Sequence, residues 1–457
     1  MTRRVLIVSY FFPPLGGVGV YRALKLAKYL PRFGWEVTVL TPEVPAYYCY
    51  DDTLEEQIPV GTRVIRSASW DPFRIYAVVR GNRNRGDGDS GSAKRAARGG
   101  AIAGRPARAD AGGLFRAMTR VAKAANTWAF VPDNSAGWLP FAVREGKRAL
   151  ARAPADLIVS ISVPHTDHLI ARALHRATRI PWIADFRDDW VGNPDLVPPT
   201  PIHRAIQSRL ERSVLREADG IVAANDTVRG LLERFLGKPR PGRFETVHNG
   251  YDAEDFDGID PGPAGGPFTM LFSGTFHRRL DPRPVFAGIA RALASGRVPR
   301  DDFRFVIAGA QQDRLPPLLA AAGIAPVTEL AGFLPHRESL RRVASADLLL
   351  LLVSRTPGAE MYSTGKLYEY LRAGRPILVA APQGEATRLV AECRAGVAAP
   401  PDDPEAIAAR IGDAYAGRAT ARGRFAGDRA RVEAYDFARQ TERFVGFAER
   451  LLAEQAP

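Results

Sequence analysis

The chain has 457 residues, 46% of them hydrophobic, which is enough apolar material for the cores of two or three ordinary domains. Its two cysteines, Cys49 and Cys393, are too few for a disulfide framework and too far apart for a metal or redox motif, so a reducing, cytoplasmic home is expected. The formal net charge of +13 would attract polyanions, but residues 80 to 125 alone carry eleven basic side chains against three acidic ones, and helix-turn-helix, zinc-finger and RNA-recognition patterns are lacking, which sets nucleic acid aside as a partner.

The start imitates a signal peptide, yet Val5 to Phe12 runs into Pro13-Pro14 without a small-x-small cleavage site, and reads instead as a first buried strand. Strand Val5 to Tyr10, a glycine loop to Arg22, an amphipathic segment to Leu30 and strand Glu36 to Thr41 make one βαβ unit. Gly17 and Gly19 supply two positions of the dinucleotide fingerprint, but Arg22 stands where the third glycine belongs, which argues against a nicotinamide site. A tight turn without a ligand is the alternative.

Residues 80–113 turn to Gly, Ala, Arg, Asp and Ser without periodicity, a composition expected to be disordered. After them Leu114, Phe115, Met118, Val121, Ala122, Ala125 and Trp128 fall at helical spacing, flanked by Arg116, Arg120 and Lys123. Stripe, basic flank and basic tether predict a helix over 114–129 lying on an anionic membrane surface. The same stripe would also suit a helix packed on the first domain with its cations in water.

Asp156 to Ser162 is a further strand, and Val163-Pro164-His165-Thr166-Asp167-His168 follows at its C-terminal end, where open α/β sheets place ligands. His165 or His168 suits proton transfer at an acceptor hydroxyl, and a helix cap or satisfied loop histidine is the alternative for each. Pro181 to Ala184 is the next strand, ending in Asp185-Phe186-Arg187-Asp188-Asp189-Trp190. Three carboxylates and an arginine at a strand's end point to function; a buried Asp185–Arg187 network bracing the loop is the structural reading. Gly220 to Asn225 gives one more strand, and Asp257 to Pro267, rich in Gly and Pro, reads as a linker.

The second half repeats the plan: Thr269 to Ser273 ends in Gly274-Thr275, Phe303 to Ile307 precedes Ala308-Gly309, and Glu329 to Leu334, with Phe333, leads to His336. The leucine run Leu348 to Val353 suits a central parallel strand and falls well short of the roughly 18 residues of a membrane span. Ser363 to Leu378 then reads as cap, short helix, C-cap and strand, with Gly374 and Pro376 stopping the helix. Thr364, Gly365 and their neighbours leave backbone N–H groups unpaired at the positive end of that helix, and Lys366 adds a cation where the dipole alone would prefer an acid, which suggests an anionic ligand. An i,i+3 surface pair of Lys366 with Glu369 is the plainer explanation. The last stripe, Phe437, Phe444, Val445, Phe447, Ala448, Leu451 and Leu452, outlines a terminal amphipathic helix.

The stretch Lys366-Leu367-Tyr368-Glu369-Tyr370-Leu371-Arg372-Ala373-Gly374-Arg375-Pro376-Ile377 resembles the nucleotide-sugar signature of family 4 glycosyltransferases. The Pro13-Pro14 to Arg22 loop, the Asp-Phe-Arg-Asp-Asp-Trp segment and Asn249-Gly250-Tyr251-Asp252 resemble motifs of the same family. The resemblance implies an α/β chain of GT-B fold, two Rossmann-like domains facing across a cleft: residues 1–256 for the acceptor, 257–432 for the donor, and a C-terminal helix, 433–457, crossing back. It implies transfer of a sugar from a nucleotide-diphosphate donor to a hydroxyl of a glycan, a lipid-linked or a small-molecule acceptor, with retention of configuration, no metal and no cofactor. On the donor side it places Gly274, Thr275, Phe333, Thr364, Gly365, Lys366 and Glu369, the last on the ribose. The family's diphosphate-gripping Arg and Lys are replaced by Thr275 and Leu280, so Arg278, Arg279 or Lys366 is expected to substitute. The first acid of the family's pair falls on Met361, with Glu360 one residue earlier; His165, Asp185 and Glu360 are the groups expected at the chemistry, and Gly17, Gly19, Arg187 and Asp188 line the acceptor side. The Asp-x-Asp pattern Asp87-Gly88-Asp89 lies in the 80–113 insertion. A sugar-nucleotide epimerase and a catalytically silent scaffold are the rival readings, and the expected place is the cytoplasm, peripheral to the inner membrane face.

Overall fold

The computed structural model describes residues 2–43, 50–70, 131–193, 196, 198–238, 241–260, 265–276, 280–310, 312–418 and 427–455. The expected insertion 80–113, the stripe over 114–129, Cys49, Arg278 and Arg279 lie outside them. The chain divides into two compact units: one of residues 1–224, 229–245 and 445–457, the other of residues 225–228 and 246–444.

The first unit holds seven strands in the order β3-β2-β1-β4-β5-β6-β7, with β1 Arg3–Val8, β2 Trp35–Pro42, β3 Arg63–Ser67, β4 Leu157–Ser162, β5 Trp182–Phe186, β6 Gly220–Ala223 and β7 Phe244–Thr246. Pairing is parallel from β3 through β6, with Val5 opposite both Val37 and Leu157. All residues of β4 and β5 are buried, as expected of strands covered on both faces by crossover helices. Strand order reverses between β1 and β4, so the loops after these two strands flank the point where such sheets take ligands.

The second unit repeats the order as β10-β9-β8-β11-β12-β13, with β8 Phe268–Ser273, β9 Phe303–Ala308, β10 Thr328–Gly332, β11 Leu348–Leu352, β12 Ile377–Ala380 and β13 Gly396–Ala399. Every pairing in it is parallel. The leucine run explains why: Leu348, Leu350 and Leu352 pack into one core with Phe268, Met270 and Phe272, while Leu349 and Leu351 pack into the opposite core with Leu271 and Val306. Side chains alternate across a strand, so a strand walled by two cores must be apolar throughout. The reversal here lies between β8 and β11.

The terminal helix, Phe437–Glu454, contributes residues from Val445 onward to the first unit, where Phe447 and Leu451 lie against Gly220. A Cβ at Gly220 would stand 2.7 Å from Leu451 Cδ1, so this glycine lets the helix seat on β6. Cys393 is buried and free. No helix among the described residues is long and apolar enough to cross a membrane.

Candidate functional site

In the second unit three glycines end three adjacent strands. Gly274 N–H donates to the Ala308 carbonyl at 2.7 Å, and Gly309 N–H to the Gly332 carbonyl at 2.7 Å. A Cβ at Gly309 would stand 1.9 Å from the Gly274 carbonyl oxygen, and Gly274 itself has φ +150, so the backbones approach more closely than any side chain permits. Over this glycine edge lies Lys366. A Cβ at Gly274 would meet its Nζ at 2.0 Å, and Nζ sits 4.8 Å from the centroid of the Phe272 ring. The ring stacks on Phe276 and gives the cation a hydrophobic floor.

Lys366 stands in the first turn of the helix Gly365–Ala373, whose N-cap, Thr364, forms no side-chain cap; its hydroxyl has no partner among the described residues. Desolvation lowers the Lys366 ammonium to about 8, against the opposing pull of Glu369. A half-desolvated cation beside uncapped N–H groups is electrostatically incomplete, and an oxyanion between them would satisfy both. Glu369, a turn further on, meets His336 with Oε1 3.1 Å from Nε2, a pairing the sequence reading missed because the two residues lie on different helices. Buried Tyr370 accepts the Ser273 N–H at 2.9 Å, tying the helix to the end of β8. Thr275 is half-buried next to Gly274, and Phe333 projects from the end of β10 with 59% of its surface exposed.

The loop entering this helix is fixed from a distance. Asn225 Nδ2 donates to the Met361 carbonyl at 2.9 Å, while its Oδ1 accepts the Val228 N–H at 2.8 Å. Met361 is buried and Glu360 exposed, both in the turn Ala359–Met361, and any side chain at Gly384 would strike the Glu360 backbone within 2.5 Å. Met361, on which the resemblance puts the family's first acid, is thus part of the core, and Glu360, its neighbour in sequence, is exposed.

In the first unit the glycine loop and the Asp185 segment meet. Gly17 adopts φ +86, and a Cβ at Gly19 would press on the Phe11 ring at 3.0 Å. Arg22 Nε donates to Asp185 Oδ2 at 2.7 Å, with both side chains buried. Burial raises the Asp185 carboxyl, while Arg22 and, at longer range, Arg187 pull it down. The structural alternative, an Asp185–Arg187 network bracing the loop, gains a third member: Arg22 holds the carboxylate directly, Arg187 adds its electrostatic pull, and Arg187 also donates to the Gly19 carbonyl at 3.3 Å. Asp185 is fully buried, with Oδ2 on Arg22 and Oδ1 without a hydrogen-bond partner among the described residues. Asp188, next along, is half-buried.

His165 stands at the N-cap position of the helix Thr166–Thr178 without a side-chain cap; it is fully buried, its ring nitrogens have no hydrogen-bond partner among the described residues, and the ring stacks on Trp190 at 4.3 Å and 3°. Desolvation takes its pKa down to about 3, so the ring is neutral at physiological pH. His168 Nδ1 lies 2.8 Å from Ser160 Oγ, which accepts from Trp182 Nε1, and burial lowers this imidazole as well. Asp133 accepts from the Thr166 N–H and hydroxyl, and Asp167 accepts the Tyr10 N–H. These two carboxyls, Asp167 buried and Asp133 half-buried, are both raised by desolvation and are residues the sequence reading did not single out. No group of three or more His, Cys, Asp or Glu among the described residues is placed to hold a metal ion.

Residues 16–250 match the family described as "Glycosyl transferase 4-like domain" and residues 267–416 that described as "Glycosyl transferases group 1". Sucrose-phosphate synthase from Thermosynechococcus elongatus is 16% identical, with a TM-score of 0.65 over 99% of this chain and 100% of that one. HepE from Anabaena, solved in complex with UDP-glucose, is 14% identical, with a TM-score of 0.60 over 98% of this chain and 99% of that one. The N-terminal domain of trehalose-6-phosphate phosphatase from Candida albicans is 12% identical, with a TM-score of 0.63 over 100% of this chain and 98% of that one. At these identities the likeness is one of fold. No curated protein matches the chain.

Proposed function

Because the chain belongs to the glycosyl transferase 4-like family and is a glycosyltransferase of GT-B fold, we propose that its second unit binds a nucleoside-diphosphate sugar at the β8/β11 switch point and that the sugar passes, with retention, to an acceptor hydroxyl bound by the first unit. The observation that carries this is the placement of Lys366 over Gly274 at the open end of the Gly365–Ala373 helix. In this reading the diphosphate lies between Lys366 and the first-turn N–H groups, Gly274 and Thr275 let it approach the backbone, Glu369 takes the ribose hydroxyls and Phe333 covers the base. Charge that grows on the departing diphosphate in the transition state would be met by donors already in place, which is how such sites lower barriers. Arg278 and Arg279 remain proposed donor contacts from sequence alone, and Glu360 the proposed carboxylate toward the transferred sugar. On the acceptor side Gly17, Gly19, Arg187 and Asp188 are the proposed lining, with His165 proposed to act as a neutral imidazole.

The UDP complexes of HepE make uridine the first base to try. Calorimetry with UDP, GDP and ADP, followed by nucleoside-diphosphate release from the matching sugars, tests the donor assignment; no binding of any of the three would overturn it. The acceptor proposed is lipid-linked at an anionic membrane surface, supported by the basic segment 80–113 and the stripe over 114–129 in the sequence. Flotation with anionic vesicles at low and high salt tests it, and absence of low-salt binding would return the acceptor to soluble glycans or small molecules.

A further inference from the structure

The helix Pro201–Glu217 buries one acid completely, Glu211. Its Oε2 accepts the Val191 N–H at 3.2 Å, its Oε1 is buried without a hydrogen-bond partner among the described residues, and the carboxyl of Asp189 lies beside it. Asp189 in turn accepts the Trp190 N–H at 2.9 Å. Gly192 completes the nest: a Cβ there would lie 2.0 Å from Asp189 Oδ2, so the loop can fold tightly over the two carboxyls only with glycine at this position. One turn before Glu211, Gln207 accepts from the Trp190 indole N–H at 2.7 Å. The helix therefore grips the loop twice, by its backbone and by its indole, and that indole is the plate on which His165 stacks.

Two buried carboxyls side by side hold a proton between them, since two buried charges of one sign repel and an unpartnered carboxylate oxygen is costly to bury. Burial, with Asp189 beside it, pushes the Glu211 carboxyl up to about 8, and burial raises Asp189 as well. The charged groups around the pair are Asp189 itself and Arg234 of the helix Asp226–Leu236, whose cation favours the ionised form of Asp189; His165 beyond the indole is neutral.

We infer that Glu211 is a positioning residue: its proton, shared with Asp189, clamps the 189–192 loop and holds Trp190 against His165, and loss of that proton loosens the clamp. This deepens the acceptor-side reading of the first unit and rests on it for any effect on acceptor binding, but the clamp itself is measured without an acceptor. The unfolded chain sheds the Glu211 proton near the ordinary value of about 4.3, whereas the folded chain keeps it to about 8. Between those values the unfolded state binds fewer protons, so this group's contribution to stability falls as pH rises through the window.

The test compares thermal unfolding and tryptophan fluorescence of the full wild-type chain and Glu211→Gln from about pH 5 to about pH 9. Gln keeps the shape and cannot ionise. The wild-type melting temperature should fall across the window relative to Glu211→Gln, and the wild-type emission should shift around pH 8 while the variant's does not. Parallel profiles in the two proteins would overturn the inference. Should the variant fail to fold, infrared spectroscopy of the wild type decides: the carbonyl band of a buried neutral carboxylic acid should persist at neutral pH and vanish above the transition, and its absence at neutral pH would overturn the inference. UDP affinity, a property of the second unit, should be equal in both proteins. A tenfold loss in the variant would show that the effect is not confined to the loop, whereas failure of both to bind UDP counts against the donor assignment and leaves the titration intact.

Discussion

Arg22 and Asp185 stand 163 residues apart in sequence and 2.7 Å apart in the fold, each with its side chain buried. The departure of Arg22 from the dinucleotide fingerprint is thereby explained: a third glycine would close the helix onto the sheet, and this chain instead sends a cation inward to neutralise the acid at the end of β5. Removing one partner of such a pair strands the other charge. Arg22→Ala should cost about 3–5 kcal/mol of stability, read from denaturant midpoints, and Arg22→Met combined with Asp185→Asn should cost less than Arg22→Ala alone. Equal losses would mean that the pair contributes only packing.

Lys366 gives the donor site its own pH signature. The free ammonium titrates at about 8, and a bound diphosphate would hold it protonated, so UDP affinity should decline as pH rises past that value, with protons taken up on binding. Lys366→Ala should lose on the order of 1.5–3 kcal/mol of donor binding at neutral pH and show a flatter profile. Calorimetry in two buffers of different ionisation enthalpy measures both, and a wild-type affinity independent of pH would rule out the role.

The glycine edge separates stability from binding. Gly309→Ala drives a Cβ against backbone at 1.9 Å and should destabilise the second unit by about 1–3 kcal/mol or more. Gly274→Ala meets the movable end of a lysine and also strains the backbone at φ +150, so it should lose donor affinity in addition to stability. A Gly274→Ala protein that binds UDP normally would place the diphosphate elsewhere.

How much of this was legible beforehand depended on where each signal was written. The buried strands declared themselves because a strand between two cores must be apolar at every position, as Leu348 to Leu352 is. Edge strands β3 and β13, partly exposed and short, offered no such run. The helix Gly365–Ala373 was readable because its cap, cation and stop signals are consecutive. Arg22, His336 and Glu211 were not, since each acquires its meaning from a partner on another element, and periodicity places a side chain on a face without naming what faces it. Asp185 was noticed as a carboxylate at a strand's end, with Arg187 as its neighbour in the structural alternative; the fold adds Arg22, a cation distant in sequence.

The end of the chain should matter to the beginning. Phe447 and Leu451 press on Gly220, so truncation after Tyr435 should uncover apolar surface on the first unit and lead to aggregation, followed by light scattering. Gly220→Val should do part of the same damage by lifting the helix. A monodisperse, folded truncation would show that this helix is dispensable.

Asn225 bears on how the protein can be taken apart. It belongs with residues 246–444 although 17 intervening positions, 229–245, belong with the other unit. A donor fragment begun at Thr246 would lack both the amide that holds the Met361 carbonyl and Thr227, whose hydroxyl reaches Glu385 at 3.2 Å. The chain is interleaved at this point, so no single scissor cut yields an intact donor half; a faithful excision needs a graft that returns residues 225–228 to the turn before the Gly365–Ala373 helix.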